Sequence, residues 1–194
     1  MTGAEKGSLI NMAAFLPVSR SNGPGQRAVV WVQGCKRNCP GCFNQDMQPF
    51  TERQLIATVE LADRILDIEG LEGVTFSGGE PFEQAGALAE LAEQLAACGL
   101  TVVIFTGYTL AELSAGNNPA WQRLLAAADM LVAGPYEQDL PAHEYLKASA
   151  NQQLLFLTDK LKQHPEVMGN QGQTAEIIVD AAGNVIVTGF DKIF

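Results

Sequence analysis

The chain is short of positive charge. Its 12 lysines and arginines stand against 22 aspartates and glutamates, for a net charge of −10. Nucleic-acid binders carry a basic stripe. None is visible here, so DNA, RNA and anionic membranes are excluded as main ligands. Long apolar runs are also missing. Nothing approaches the ~20 residues needed to span a bilayer. Met1-Thr2-Gly3-Ala4-Glu5-Lys6 lacks the basic start and apolar run of a signal peptide, and the expected location is the cytoplasm. Histidine is scarce: His143 and His164 are the only two, both in polar stretches that read as solvated. There are four cysteines, too unevenly placed for a disulfide framework, and 194 residues need none. A single domain of that length buries roughly 70% of the surface exposed when unfolded. Repeats and low-complexity segments are absent.

What is present is an alternation of short β-type runs and helical runs, the signature of a parallel α/β protein. Arg27 to Gln33 is an apolar strand running straight into a cysteine-rich loop. Thr51 reads as an N-cap with Gln54 as its capping-box partner, and Leu55, Val59, Ala62 and Leu66 follow at helical spacing until Gly70. Gly73 to Ser77 reads as a buried strand and Gly78-Gly79 as a turn. Phe82 to Cys98 reads as a helix with Leu88, Leu91 and Leu95 inward. Thr101 to Thr106, Asp129 to Ala133 and Gln153 to Thr158 are further strands, with helical material up to Ala128 between the first two. Ala175 to Asp180 and Val185 to Thr188, around Ala181-Ala182-Gly183-Asn184, read as a β-hairpin. Parallel strands with crossover helices place their sites at the C-terminal strand ends. The cysteine loop, Gly78-Gly79 and Thr106-Gly107 all follow such ends, so they are expected to converge.

Three of the four cysteines, Cys35, Cys39 and Cys42, form a C-x3-C-x2-C pattern within eight residues. In a cytosolic chain, such a cluster points to metal binding or catalysis before disulfides. Structural zinc takes four protein ligands, and no fourth is evident, since Cys98 lies in an apolar helical pattern that reads as core. Bacterial ferredoxins use a different four-cysteine spacing. Three thiolates on a four-iron cubane leave one iron open to a small molecule. A structural metal site is the competing reading of the spacing alone.

The spacing resembles the cluster motif of the radical S-adenosylmethionine (SAM) superfamily. Asn22-Gly23-Pro24-Gly25-Gln26-Arg27 before it, and Cys39-Pro40-Gly41-Cys42 with Phe43-Asn44, are similar to the activating enzymes of glycyl-radical proteins, including activators of anaerobic ribonucleotide reductase. Gly41 stands where many superfamily members carry an aromatic residue. Ser77-Gly78-Gly79-Glu80-Pro81 resembles the superfamily's GGE motif, in which Glu80 would accept from the SAM ammonium. Thr106-Gly107-Tyr108-Thr109 resembles the TGY segment beside the cofactor. A plain strand–helix turn with Thr109 as N-cap is its other reading. Leu131-Val132-Ala133-Gly134 is similar to the family's LVDG, with Ala133 replacing the aspartate, and Lys147 to Gln152 resembles a terminal GSSNQ.

The resemblance spans about residues 8–152. It implies a partial, incomplete TIM-like β/α barrel with parallel strands, as one 1–194 domain with a C-terminal β-hairpin extension over about 153–194. It also implies a [4Fe–4S] cluster on Cys35, Cys39 and Cys42, and SAM held by Gly41, Phe43, Ser77, Gly78, Gly79, Glu80, Thr106 and Gly107. An external one-electron donor such as flavodoxin would reduce the cluster. SAM would be cleaved to a 5′-deoxyadenosyl radical that takes hydrogen from a protein or peptide substrate, in an anaerobic oxidoreductase reaction needing no general acid or base. Two alternatives stand: modification of a peptide or small molecule that the tail helps to recognise, and a non-catalytic iron–sulfur electron-transfer module. Trp31 and Phe105 read as core. Lys36 and Arg37 would offset cluster charge, greet an acidic partner, or simply be solvated.

Overall fold

The computed structural model describes residues 7–169, 172–179, 182–183 and 185–189. Met1–Lys6, and Asp180, Ala181 and Asn184 of the expected hairpin, lie outside the described residues.

Four strands form the parallel centre of the sheet: β2 (Arg27–Val32), β4 (Gly73–Gly78), β5 (Thr101–Thr106) and β6 (Met130–Ala133). β2, β5 and β6 are runs of apolar residues, as strands covered on both faces must be, whereas β4 sets Val74 and Phe76 among Thr75, Ser77 and glycines and is buried all the same. Three antiparallel strands flank them: β1 (Leu9–Ser19), β3 (Gln54–Ala57) and β7 (Gln153–Phe156). The order is β3-β1-β2-β4-β5-β6-β7, an open mixed sheet whose two edges do not pair with each other. The strand expected at residue 153 thus extends the main sheet. Beyond it, β8 (Ala175–Val179) and β9 (Val185–Gly189) form the separate hairpin.

Strand β1 carries no such simple pattern. Its ladder with β2 shifts register between Met12 and Ala14 and again between Leu16 and Ser19. Pro17 falls in the second irregularity, where no ladder N–H is required. Because β1 is there to pair with, Gln54–Ala57 becomes edge strand β3 and not the first turn of a helix. This corrects the expected capping box: Thr51 precedes the strand, and the helix α1 (Thr58–Leu66) starts after Ala57. Its inner face is Thr58, Leu61, Ala62 and Ile65, whereas Leu55, Val59 and Leu66 are exposed.

On one sheet face, α2 (Ala85–Ala97) lies between α1 and α4 (Pro119–Ala127), and Leu88, Leu91 and Leu95 are fully buried as expected. A short helix α3 (Leu110–Ala115) follows β5, capped by Thr109 and Glu112 in a reciprocal capping box. The opposite face is covered by irregular chain. Leu146 and Leu161 pack there against Val103, Met130 and Val132. Cys98 is not core. It is exposed, at the C-cap of α2.

At the N-terminal ends of the parallel strands, the Arg27 side chain is fully buried. Its guanidinium donates to Pro24 O, Val74 O, Thr101 O and the hydroxyls of Thr75 and Thr101, at 2.8–3.0 Å. Burial pulls its pKa down to about 10. One side chain thereby ties β2, β4 and β5. A Cβ on Gly73 would sit 2.4 Å from its Nη2. His164 also lies here, largely covered, as the N-cap of α5 (Pro165–Met168) and 3.5 Å from Glu72. It is therefore not the solvated residue expected.

Candidate active site

The C-terminal ends of the same strands open into one cavity of about 690 Å³, counted out to its mouth. The loop after β2 brings Cys35, Cys39 and Cys42, with Phe43 and Asn44. The end of β4 brings Ser77, Gly78, Gly79 and Glu80. The end of β5 brings Phe105, Thr106 and Gly107. All the expected site residues line this cavity except Gly41. That residue turns the loop at φ 68°, and a Cβ there would lie 2.0 Å from the Gln138 side chain.

The cysteine loop is fastened from several sides. Gly34 N–H donates to Met47 O and Cys35 N–H to Gln48 O, so that the loop folds back on residues 47 and 48. Gly79 N–H donates to Val32 O at 2.7 Å and Glu80 N–H to Gly34 O at 2.9 Å. A Cβ on Gly79 would fall 2.4 Å from Gly34 O, and one on Gly78 2.5 Å from Val32 N. The two glycines are thus needed for contact between the β4 turn and the cysteine strand, a demand of packing as much as of ligand approach. Asn44 Nδ2 completes the join by donating to Gly78 O at 3.2 Å. Lys36 pairs with Glu83 at 2.6 Å, and Arg37 with Glu112 at 2.9 Å while lying over the Tyr108 ring. Arg37 is thereby held across the site, whereas Lys36 keeps most of its side chain in solvent.

The sulfurs suit a cluster. Cys35 Sγ accepts from Arg37 N–H and Cys42 Sγ from Asn44 N–H, each at 3.4 Å. Such amide–sulfur bonds are among the levers that tune iron–sulfur centres. The three thiols are set around the cavity, and among the described residues no group of three His, Cys, Asp or Glu closes on a single metal ion. With Cys98 at the far end of α2, the loop supplies three sulfurs, and the rest of the wall is mixed, with Glu80 and polar backbone beside the rings of Phe43, Phe105 and Tyr136.

Glu80 is 1% exposed yet borders the cavity. It accepts from Phe82 N–H at 3.0 Å, the Thr106 hydroxyl at 2.8 Å and Gly107 N–H at 2.8 Å. Burial raises its pKa to about 7 against those three bonds. An apolar setting that lifts a carboxyl this far would be relieved by an incoming cation. Thr106 and Gly107 therefore build the carboxylate's seat, while Thr109 caps α3 as the strand–helix turn reading expects.

The cavity also draws on residues that motif reading did not single out as contacts: Arg37, Gln48, Phe105, Gly134, Tyr136, Ala148 and Gln152. Phe43 and Tyr136 face each other with ring centroids 4.9 Å apart. Gln152 donates to Gly134 O at 3.1 Å and accepts from Ala148 N–H at 2.9 Å, which locks the wall that the degenerate Lys147–Gln152 motif forms. Its signal was in the sequence, beside Leu131–Gly134, but only the antiparallel β7 brings the two segments together. That wall is tied to the tail: Tyr145 donates to Glu166, Lys147 O accepts from Gln173, and Glu144 bridges Gly172.

With this geometry in view, comparison with known proteins is direct. The 4Fe-4S single cluster domain family matches residues 21–155. The chain belongs to that family and is a radical SAM enzyme of the activating type, with a [4Fe–4S] cluster and SAM as its cofactors. It is 34% identical over 154 residues to the anaerobic ribonucleoside-triphosphate reductase-activating protein of Vibrio cholerae serotype O1, covering 74% of this chain and 96% of that one. It is 32% identical over 157 residues to the protein of that name from Escherichia coli K12, with the same coverages. The Enterobacteria phage T4 protein of that name is 27% identical over 161 residues, covering 80% and 99%. The structure of QueE from Escherichia coli overlaps with a TM-score of 0.41 at 19% identity, over 52% of this chain and 53% of that one, too partial an overlap to define a shared fold. Among the described residues, no helix is long and apolar enough to cross a membrane.

Proposed function

We propose that this protein is a glycyl-radical activase that acts on a partner protein. The observation that carries the reading is the meeting of Cys35, Cys39 and Cys42 with the Ser77–Glu80 turn and Thr106–Gly107 around one cavity at consecutive strand ends. When bound, the cluster and SAM supply reductive cleavage of the sulfonium to methionine and a 5′-deoxyadenosyl radical, at the cost of one electron. The chain's own residues do the rest. Cys35, Cys39 and Cys42 would hold the cluster. Glu80, seated by Thr106 and Gly107, would take the SAM ammonium in a charge-assisted hydrogen bond. Ser77, Gly78, Gly79, Gly41 and Phe43 are the remaining candidate contacts, with Phe43 and Tyr136 walling off water.

The substrate reading rests on the activating proteins that the chain resembles along nearly their whole length. The hydrogen would come from a glycine of a large partner, which leaves a glycyl radical there and 5′-deoxyadenosine here. A flavodoxin-like carrier in the cytoplasm would supply the electron. In the alternative reading the tail recognises a small substrate. The hairpin does not favour it, because β8–β9 docks on Ser19–Asn22, at the opposite strand ends from the cavity. The curl of a partial barrel is likewise our reading of the open sheet, supported by the convergence of the β2, β4 and β5 ends on one cavity.

The test is anaerobic reconstitution with iron and sulfide, followed by dithionite and SAM. We expect 5′-deoxyadenosine from the wild type and none from Cys39→Ala. With the partner reductase present, a glycyl radical signal should appear by electron paramagnetic resonance. A cluster that forms but leaves SAM intact would make the protein an electron-transfer module.

A further inference from the structure

The turn from β1 to β2, at the strand ends far from the cavity, gathers a second group of buried polar residues. Ser19, Ser21 and Asn22 are 0%, 1% and 5% exposed, although all three are polar. Their donors converge on one carboxylate of the tail. Glu176 Oε2 accepts from the hydroxyls of Ser19 at 2.5 Å and Ser21 at 3.1 Å, and from Ser21 N–H at 3.4 Å. Glu176 Oε1 accepts from Arg20 N–H at 3.0 Å. Asn22 Nδ2 donates to Ser19 Oγ at 2.8 Å, which leaves the Ser19 proton for the carboxylate. Two hydroxyls and two amides, with no ion pair to Glu176 among the described residues, make a cup of neutral donors, the kind of backbone concavity that binds oxyanions.

The hairpin has little else to hold it. Ile177, Val179, Val185 and Val187 share its outward face, between 45% and 63% exposed. Two strands alone are marginal in water. Among the described residues, every hydrogen bond from the hairpin strands to the rest of the chain ends on Glu176 or Thr188. Docking is polar, and Glu176 is its centre. The hairpin also lies past residue 155, where the family match stops.

We propose that Ser19–Asn22 is a binding site for an oxyanion of carboxylate or phosphate type, and that the chain fills it with its own Glu176, an internal ligand that a competing anion displaces. Tethering gives Glu176 a high effective concentration, so free anions compete weakly in the wild type and bind openly once the carboxylate is gone.

The test uses the full chain without its cluster. Glu176→Ala is melted in rising formate or inorganic phosphate, with sodium chloride at matched ionic strength as control. The variant should gain melting temperature saturably with at least one of the two, and the better anion identifies a planar or a tetrahedral ligand. Adding Ser21→Ala should erase the gain. Amide hydrogen exchange at Ile177, Ile178, Ile186 and Val187 should quicken at least tenfold in Glu176→Ala. Glu176→Gln, which keeps the side chain's shape, should quicken it as well and serves should the alanine variant not fold. A folded Glu176 variant whose melting follows the chloride control for both anions would overturn the site. Unchanged hairpin exchange in the folded variants would overturn the internal ligand.

Discussion

The two ends of the parallel strands both bury polar groups and differ in where those groups point. At the N-terminal ends, Arg27 spends all its donors on protein acceptors, and Asp129 accepts from Val102 N–H, Thr158 and Lys160. At the C-terminal ends, three thiols, a glycine turn and a buried carboxyl face open space. Polar groups that saturate one another hold a fold together. Polar groups that surround a cavity await a ligand. Burial alone does not separate the two, since Arg27 and Glu80 are equally hidden.

Substitutions at each end put this contrast at risk. The largest effect is expected from Cys39→Ala. It should abolish cluster retention and 5′-deoxyadenosine formation, while unfolding of the cluster-free chain shifts by about 0.5 kcal/mol or less, as for a half-exposed site. Iron and sulfide per chain, with a denaturant melt, check both. Arg27→Met should do the reverse. Leaving its carbonyls and threonines buried without a donor should cost ~3–5 kcal/mol, whereas iron bound per folded chain stays at the wild-type level. Equal damage to both readouts by either variant would break the comparison.

Glu80 gives the next effect, through pH. Its folded pKa of about 7 lies above the ordinary 4.5, so the native state keeps this proton longer than the unfolded chain does. The resulting stabilisation is fully present below about pH 4.5 and is lost as pH rises through about 7. Over that window it amounts to roughly 3 kcal/mol at most, at about 1.4 kcal/mol per unit. Glu80→Gln should flatten that part of the stability profile, measured by denaturant melts of the cluster-free chain from pH 4.5 to 8. The same carboxyl sharpens the contrast when SAM binds. Its ammonium should return the pKa toward the usual range, so that binding near pH 6 releases a proton, seen by calorimetry in buffers of different ionisation enthalpy and absent in Glu80→Gln. Lys36→Ala should have the smallest effect. Its ion pair is 70% exposed on the lysine side, and exposed pairs contribute about 0–1 kcal/mol.

Much of the site was legible because it is local. Cys35, Cys39 and Cys42 share one loop, and Ser77–Glu80 and Thr106–Gly107 each follow an apolar run whose strand character is plain. What was not legible depends on partners distant in sequence. Strand β1 hides because its bulges interrupt the two-residue alternation and Pro17 argues against a strand. With β1 unseen, Gln54–Ala57 has nothing to pair with and reads as the start of a helix. The roles of Gly78 and Gly79 shift for the same reason: a local view sees room for a ligand, while the fold shows Gly34 and Val32 already there. Cys98 sat in an apolar pattern but fell on the last residue before the turn, where the helix face no longer decides exposure.

The stretch from Ala148 to Gln152, part of the cavity wall, is held from several sides: Gln152 donates to Gly134 O, Asn151 to Pro135 O and Ala150 N–H to Leu140 O, Ser149 Oγ accepts from Glu137 N–H, and the adjoining Tyr145 and Lys147 reach the tail. A wall fastened in this way is positioned by residues that carry none of the chemistry. Removing the Glu166 or Gln173 side chain takes away one of the tail's links to that wall, while the sulfurs and their amide donors keep their contacts.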